Sequence, residues 1–258
     1  MAWLVALLVG DGTHPLVTTL IADVAATLVV FLGSIAVDNA SVYDPYWSVA
    51  PPVIVAAWIA TDGGGDGARR ALVLGLLAVW AVRLTGNWVH GWRGLVQEDW
   101  RYVRLRRPDV RGPMPWWVVN LGGIQLLPTL LVLAALVPAW PAVTDGSRGF
   151  GVLDVLAVLV TAGAIVLEAG SDEQRRRFAL RPENAGRRCD VGFWRFSKHP
   201  NYVGEMSLWW GIWLFGLAAD PSWWPTVAGP LAMVALFVFA SIPMMDARNR
   251  KRRPEPAA

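Results

Sequence analysis

A chain of 258 residues that is 55% hydrophobic and 17% charged is poorly suited to a soluble fold, where about a quarter of residues carry charge. Sixteen tryptophans point the same way, because an indole at a membrane interface buries its ring and keeps its N–H wet. The net charge of +3 and pI near 9.4 would suit a nucleic-acid binder, but the basic residues fall in short segments between apolar runs, a topology pattern that excludes that reading. The single cysteine, Cys189, excludes an intramolecular disulfide and reads as a bystander in a basic loop.

The chain reads as one all-α domain, a transmembrane bundle with no internal repeat. Met1–Gly10 is apolar but lacks a basic start and a small-residue cleavage site, so it reads as an interfacial segment or an extension of the first span and not as a signal peptide. Crossing the hydrocarbon takes about 20 apolar residues. The predicted spans are 15–37, 46–61, 70–92, 115–140, 150–171, 202–219 and 225–246. The second is short and should kink at Pro51-Pro52. Nineteen of the 23 Lys and Arg lie between spans three and four, between five and six, and in the tail up to Arg253. Seven spans bring these segments to one side, which the positive-inside rule makes cytosolic, leaving the N-terminus outside and the chemistry open to the cytosol of a multi-pass cell-membrane protein.

Polar residues at that face are the candidates for chemistry. Asp38-Asn39 and Tyr43-Asp44-Pro45-Tyr46-Trp47 join spans one and two. Arg83, Asn87 and His90 share a face of span three; such a stripe is costly against lipid and should point inward, either as catalytic groups or as glue between helices. Gln97-Glu98-Asp99-Trp100-Arg101-Tyr102 follows.

The richest stretch is 168–205. Glu168, Asp172 and Arg175 or Arg176 fall on one face at the end of span five, where carboxylates suit a ribose or an amide and arginines a phosphate. Pro200 suits the first turn of a helix, so span six begins there and aims free N–H groups at the cytosolic mouth. Arg195, Lys198 and His199 stand just before it, a setting for a phosphate-bearing anion. Asn201 and Glu205 share a face that Tyr202 borders, and Glu205 lies about one turn inside the span, where an unpaired carboxylate is expensive. Taken singly, Arg175-Arg176-Arg177 is a topology anchor and Glu168 and Glu205 are structural partners of arginines. Together with Asn184, these residues place Asp, Arg, Asn, His, Tyr and Glu within 38 positions at one membrane face. No metal site is expected.

The run Arg195-Phe-Ser-Lys198-His199-Pro200-Asn201-Tyr202-Val-Gly204-Glu205 resembles the C-terminal signature of the steroid 5-alpha-reductase-like membrane proteins. More closely, the chain resembles their bacterial branch of uncharacterised function, DUF1295-like. Supporting motifs are Asp44-Pro45-Tyr46-Trp47-Ser48, Glu98-Asp99-Trp100-Arg101-Tyr102, Ser171-Asp172-Glu173-Gln174 and Ser241-Ile-Pro-Met-Met-Asp246-Ala-Arg248. The resemblance implies a helical bundle that admits NADPH from the cytosol and reduces a carbon–carbon double bond conjugated to a carbonyl in a lipophilic, steroid- or isoprenoid-like molecule, with membrane lipids around it. It implies that Asp172, Arg195, His199, Asn201, Tyr202 and Glu205 surround the cofactor. No dinucleotide Gly-x-Gly-x-x-Gly motif follows a strand, so the cofactor site is not of the Rossmann kind. The family's N-terminal Glu–Tyr pair has competing matches in Glu98, Tyr102, His90 and Tyr46. For the proton donor we favour Tyr102, with Glu98 four residues earlier to orient its hydroxyl if that segment is helical, and His90 as the runner-up. The alternatives are an S-adenosylmethionine-dependent methyltransferase of the isoprenylcysteine type, against which the basic tail counts, and a non-enzymatic lipid-binding protein.

Overall fold

The computed structural model describes residues 12–252; Met1–Gly10 and Arg253 lie outside the described residues. Among the described residues there are helices and no strands. The main helices are α1 Pro15–Ala36, α2 Asp44–Thr61, α3 Gly67–Gly91, α4 Trp100–Arg106, α5 Trp116–Leu136, α6 Ala139–Thr144, α7 Val152–Ala179, α8 Pro200–Ala219 and α9 Pro221–Lys251.

Each predicted span is centred on a helix, the fourth (115–140) running past the end of α5 at Leu136 into α6, and five of these helices (α1, α3, α5, α7 and α9) are long and apolar enough to cross a membrane, as a multi-pass membrane protein requires. The other two carry more Pro, Tyr, Trp and Gly. α2 runs unbroken through Pro51 and Pro52. α7 reaches Ala179, two turns beyond its apolar part, so Arg175, Arg176 and Arg177 stand on a helix and not in a loop.

Local chemistry sets the boundaries. Pro15, Pro45, Pro200 and Pro221 occupy first turns, where a missing N–H costs nothing. Asp66 and Asp99 cap α3 and α4 through hydrogen bonds from Arg69 N and Arg101 N, of 2.9 and 2.8 Å. Asp38 takes a left-handed conformation, φ 48°, where the chain leaves α1. α5 and α9 contain π-helical stretches, Val119–Leu126 and Phe237–Ser241.

α8 sits at the centre, with Leu208, Trp209, Ile212 and Phe215 buried. Its main partner is α7, and the two backbones approach at Gly204 and Gly211, where a Cβ would collide with Glu168 and Thr161. Small residues at such contacts let membrane helices pack closely. Around this core the usual soluble pattern is inverted. Leu32, Val82, Leu159, Val166 and Phe239 face outward, while Asp23, Thr27, Asn120, Gln125, Glu168 and Glu205 are buried. α3 and α7 run in the same direction, tied by Arg69–Asp154 at one end and Arg83–Glu168 further along.

Candidate functional site

Two adjoining cavities occupy the end of the bundle that holds the basic segments. The outer one, about 860 Å³, is lined by Arg175, Arg187, Arg188, Lys198 and Arg250 together with Asn184, among others. The inner one, about 320 Å³, is mainly apolar, with Leu84, Ile124, Val132, Met233 and Phe237 in its wall. His199 lines the outer cavity and Tyr202 the inner one; their rings stack at 5.3 Å and 12°, and Phe237 packs on Tyr202 at 5.0 Å. His199 Nε2 pairs with Asp246 Oδ1 at 2.8 Å, which fixes the ring and pins α9 to the start of α8.

The polar floor of the inner cavity comes from α3, α7 and α8. Arg83 donates to Glu168 and, at 3.0 Å, to Asp172, which also accepts from Asn87 at 2.8 Å. Glu205 accepts from the indoles of Trp80 and Trp209 at 3.0 and 3.1 Å, so its two oxygens are already engaged. Arg83 Nε and Glu168 Oε1 are buried and receive no partner from a neighbouring donor or acceptor, although the Glu168 and Glu205 carboxyls are close enough to hydrogen-bond when one of them is protonated. An unpaired donor and an unpaired acceptor in one buried cluster are the complement of a carboxamide.

At the other wall, Tyr102 is buried and donates to Asp44. Burial, opposed by the Arg101 guanidinium, pushes the Asp44 carboxyl up to about 6. Burial and the neighbouring Asp44 carboxylate hold the Tyr102 hydroxyl well above its ordinary range, so it stays protonated.

Set against the sequence reading, the structure brings Glu168, Asp172, Asn201, Tyr202, Glu205 and Tyr102 around the inner cavity, and Asn184, Lys198 and His199 around the outer one. Five expected residues lie elsewhere. Glu98 precedes the first turn of α4, so helical spacing does not carry it to Tyr102; it binds Arg106 at 2.7 Å and accepts from Ala40 N at 2.8 Å. His90 is exposed in the last turn of α3 and does not face the interior with Arg83. Arg176 pairs with Glu173 at 2.7 Å on the outside, while Arg175 lines the cavity, its guanidinium 5.4 Å from the Trp194 ring. Arg195 is exposed and lines neither cavity. Tyr46 also lines neither cavity and donates to Asp23.

Three residues were not singled out from the sequence. Asp44 and Asp246 sit inside quoted motifs, yet their partners are 58 and 47 positions away. Asp23 is a lone carboxylate in an otherwise apolar span, a signal that was available.

An all-helical fold with five membrane-length apolar helices around a polar interior defines a multi-pass membrane protein. The chain matches the family described as a protein of unknown function, DUF1295, over residues 30–257, and belongs to it. It is 27% identical over 254 residues to an uncharacterised protein of Schizosaccharomyces pombe, covering 88% of this chain and 72% of the yeast protein. No solved structure matches it.

Proposed function

We propose that the protein is an NADPH-dependent reductase of carbon–carbon double bonds conjugated to a carbonyl, acting on a lipophilic substrate. The observation that carries this reading is the pairing of a basic outer cavity with an apolar inner one whose floor holds an unpaired donor and an unpaired acceptor. A ligand with phosphates at one end and a carboxamide at the other fits that order of chemistry. Arg175, Arg187, Arg188, Lys198 and Arg250 would hold the phosphates; Arg83, Glu168 and Asn201 would meet the carboxamide. When bound, the cofactor supplies hydride. The chain contributes the rest: Tyr102 offers its hydroxyl to the substrate carbonyl, Asp44 orients that hydroxyl, and the apolar wall excludes water.

The reading includes a topology. Seven helices crossing the membrane, N-terminus outside, collect the basic cavity and the tail on the cytosolic side. The common direction of α3 and α7 agrees with alternating spans. Reporter fusions after Gly146 and at the C-terminus should report opposite sides.

The decisive experiment measures NADPH, NADH and S-adenosylmethionine binding to the detergent-purified protein side by side. NADPH should bind most tightly, because its 2′-phosphate needs basic partners. Preference for S-adenosylmethionine would turn the reading to a methyltransferase, and no nucleotide binding at all would leave a lipid-binding protein.

A further inference from the structure

A run of buried hydroxyls leads away from the inner cavity to a carboxyl that the proposed reaction does not use. Tyr43 lines the cavity and its hydroxyl lies 2.9 Å from Thr129 Oγ1. Thr129 Oγ1 is 2.9 Å from Thr27 Oγ1. Thr27 adjoins the Tyr46 hydroxyl, which donates to Oδ1 of the Asp23 carboxyl. In both threonine contacts either oxygen can be the donor; the Thr27 hydroxyl also donates to the Asp23 backbone carbonyl at 2.9 Å, so conduction toward the cavity requires that hydroxyl to rotate from the carbonyl to Thr129. Tyr43, Thr27 and Thr129 are 1%, 0% and 2% exposed.

The terminal carboxyl is out of place for a structural group. Asp23 lies eight residues into α1, about 12 Å along its axis by the rise of a helix, among apolar neighbours. Its hydrogen-bonding partner is a tyrosine and not a cation. A carboxyl at such depth is expensive as an ion and inexpensive as an acid. Asp23 is therefore a store for one proton, and the hydroxyls join it to the cavity.

We propose that Asp23 is the proton reservoir of the inner cavity and delivers through Tyr46, Thr27, Thr129 and Tyr43. The identity of the acceptor rests on the reductase reading. Reducing a conjugated double bond adds a hydrogen to each carbon, and the second arrives as a proton at the carbon next to the carbonyl. The Tyr43 O–H bond breaks as that C–H bond forms. Tyr43 takes the proton of Thr129, Thr129 that of Thr27, Thr27 that of Tyr46, and Tyr46 that of the Asp23 carboxyl. Asp23 ends as a carboxylate and regains a proton from water. No electrons enter or leave the relay. Tyr102 and Asp44 keep a separate task at the carbonyl oxygen, a hydrogen bond that transfers no proton, so the one proton the reaction consumes reaches the carbon from Tyr43.

Infrared difference spectra of the full chain in nanodiscs test the relay without any ligand. Asp23→Asn should remove a protonated-carboxyl band. Thr129→Val, which touches neither Asp23 nor Tyr46, should shift that band, and Thr129→Ser should restore it. No band lost in Asp23→Asn, or a band indifferent to both Thr129→Val and Thr27→Val, would overturn the proposal. A second arm uses NADPH and a steroid-type enone in deuterated water. Thr129→Val should lower turnover about 100-fold and raise the solvent isotope effect, with NADPH affinity unchanged; unchanged turnover would overturn delivery to substrate. If NADPH neither binds nor is consumed, the reductase reading fails, and the infrared arm alone decides the relay.

Discussion

Two buried arginine–carboxylate clusters join the same pair of helices 14 positions apart, about 21 Å along each axis, and they differ in one respect. At the far end Arg69 uses its whole guanidinium. It bonds both oxygens of Asp154 at 2.6 and 3.0 Å and the carbonyls of Arg148 and Gly149 at 3.1 and 3.2 Å. Asp154 also caps α7 by accepting from Gly151 N at 2.8 Å. Neither residue lines either cavity. Near the basic end Arg83 bonds Glu168 and Asp172 but leaves its Nε unpaired, and Glu168 leaves Oε1 unpaired, both in residues that line the inner cavity. A completed cluster is a strut; the incomplete one beside the cavity is where the proposed cofactor site would take a polar ligand.

The largest effect should come from the strut. Removing one member of a buried pair strands the other, at a cost of about 3–5 kcal/mol, so Asp154→Asn or Arg69→Leu should lower the unfolding midpoint most of all. Whatever folded protein remains should bind NADPH normally. Loss of NADPH affinity without loss of stability in Asp154→Asn would break the contrast between the two clusters. Glu168→Gln should do the reverse. It removes a charged acceptor while Arg83 keeps Asp172, and NADPH affinity should fall about 10-fold, the size expected of one hydrogen bond to a charged group. Titration calorimetry and thermal unfolding on the same samples would separate the two.

The contrast also explains what could be read in advance. Helix positions were legible, because apolar runs and first-turn prolines are local. Glu168, Asp172, Asn201 and Glu205 were legible as a group, because helical spacing places each pair on one face and an intramembrane carboxylate is conspicuous. What failed were pairings between helices. Glu98 lies four before Tyr102, but α4 begins only at Trp100, and the tyrosine's partner is Asp44 on α2. His90 shares a stripe with Arg83, yet α3 has left the bundle interior by its last turn. Glu205 was expected among the residues around the cofactor; both of its oxygens accept from indoles, those of Trp80 on α3 and Trp209 on α8.

Asp44 and Tyr102 make a third polar pair, and pH sharpens its place in the comparison. With Asp44 ionised, the Tyr102 hydroxyl is committed to it. With Asp44 protonated, the carboxyl can donate to the tyrosine oxygen and free the hydroxyl for the substrate. Since burial moves the Asp44 carboxyl up to about 6, turnover should be high below that pH and fall as pH rises through it. The stability term has the same sign. A carboxyl raised in the folded state favours folding while protonated, fully so below the ordinary carboxylate range, and that contribution is lost as pH rises through about 6. Asp44→Asn should keep turnover, since the amide can donate, and abolish this limb. A limb that survives Asp44→Asn would belong to another group.

The smallest effect concerns two neighbouring arginines that carry the same charge at the same membrane face. Arg176 bonds Glu173 at 2.7 and 2.8 Å with half its side chain exposed, and a solvent-exposed ion pair of this kind contributes little to stability. Arg175 is one position, or about 100° of helix, away. It turns into the outer cavity beside Trp194, whose indole donates to Ser171 O at 2.9 Å and so holds the ring fixed. If the basic face were only a topology signal, Arg175→Gln and Arg176→Gln would be equivalent. If the outer cavity binds phosphates, Arg175→Gln should weaken NADPH several-fold and weaken NADH less, whereas Arg176→Gln should leave both affinities within error. Equal effects of the two substitutions would reduce the cluster to a positive-inside anchor. The measurement is sensitive because both variants change the net charge by the same amount, so long-range attraction for an anionic ligand cancels and only the local contact at Arg175 remains.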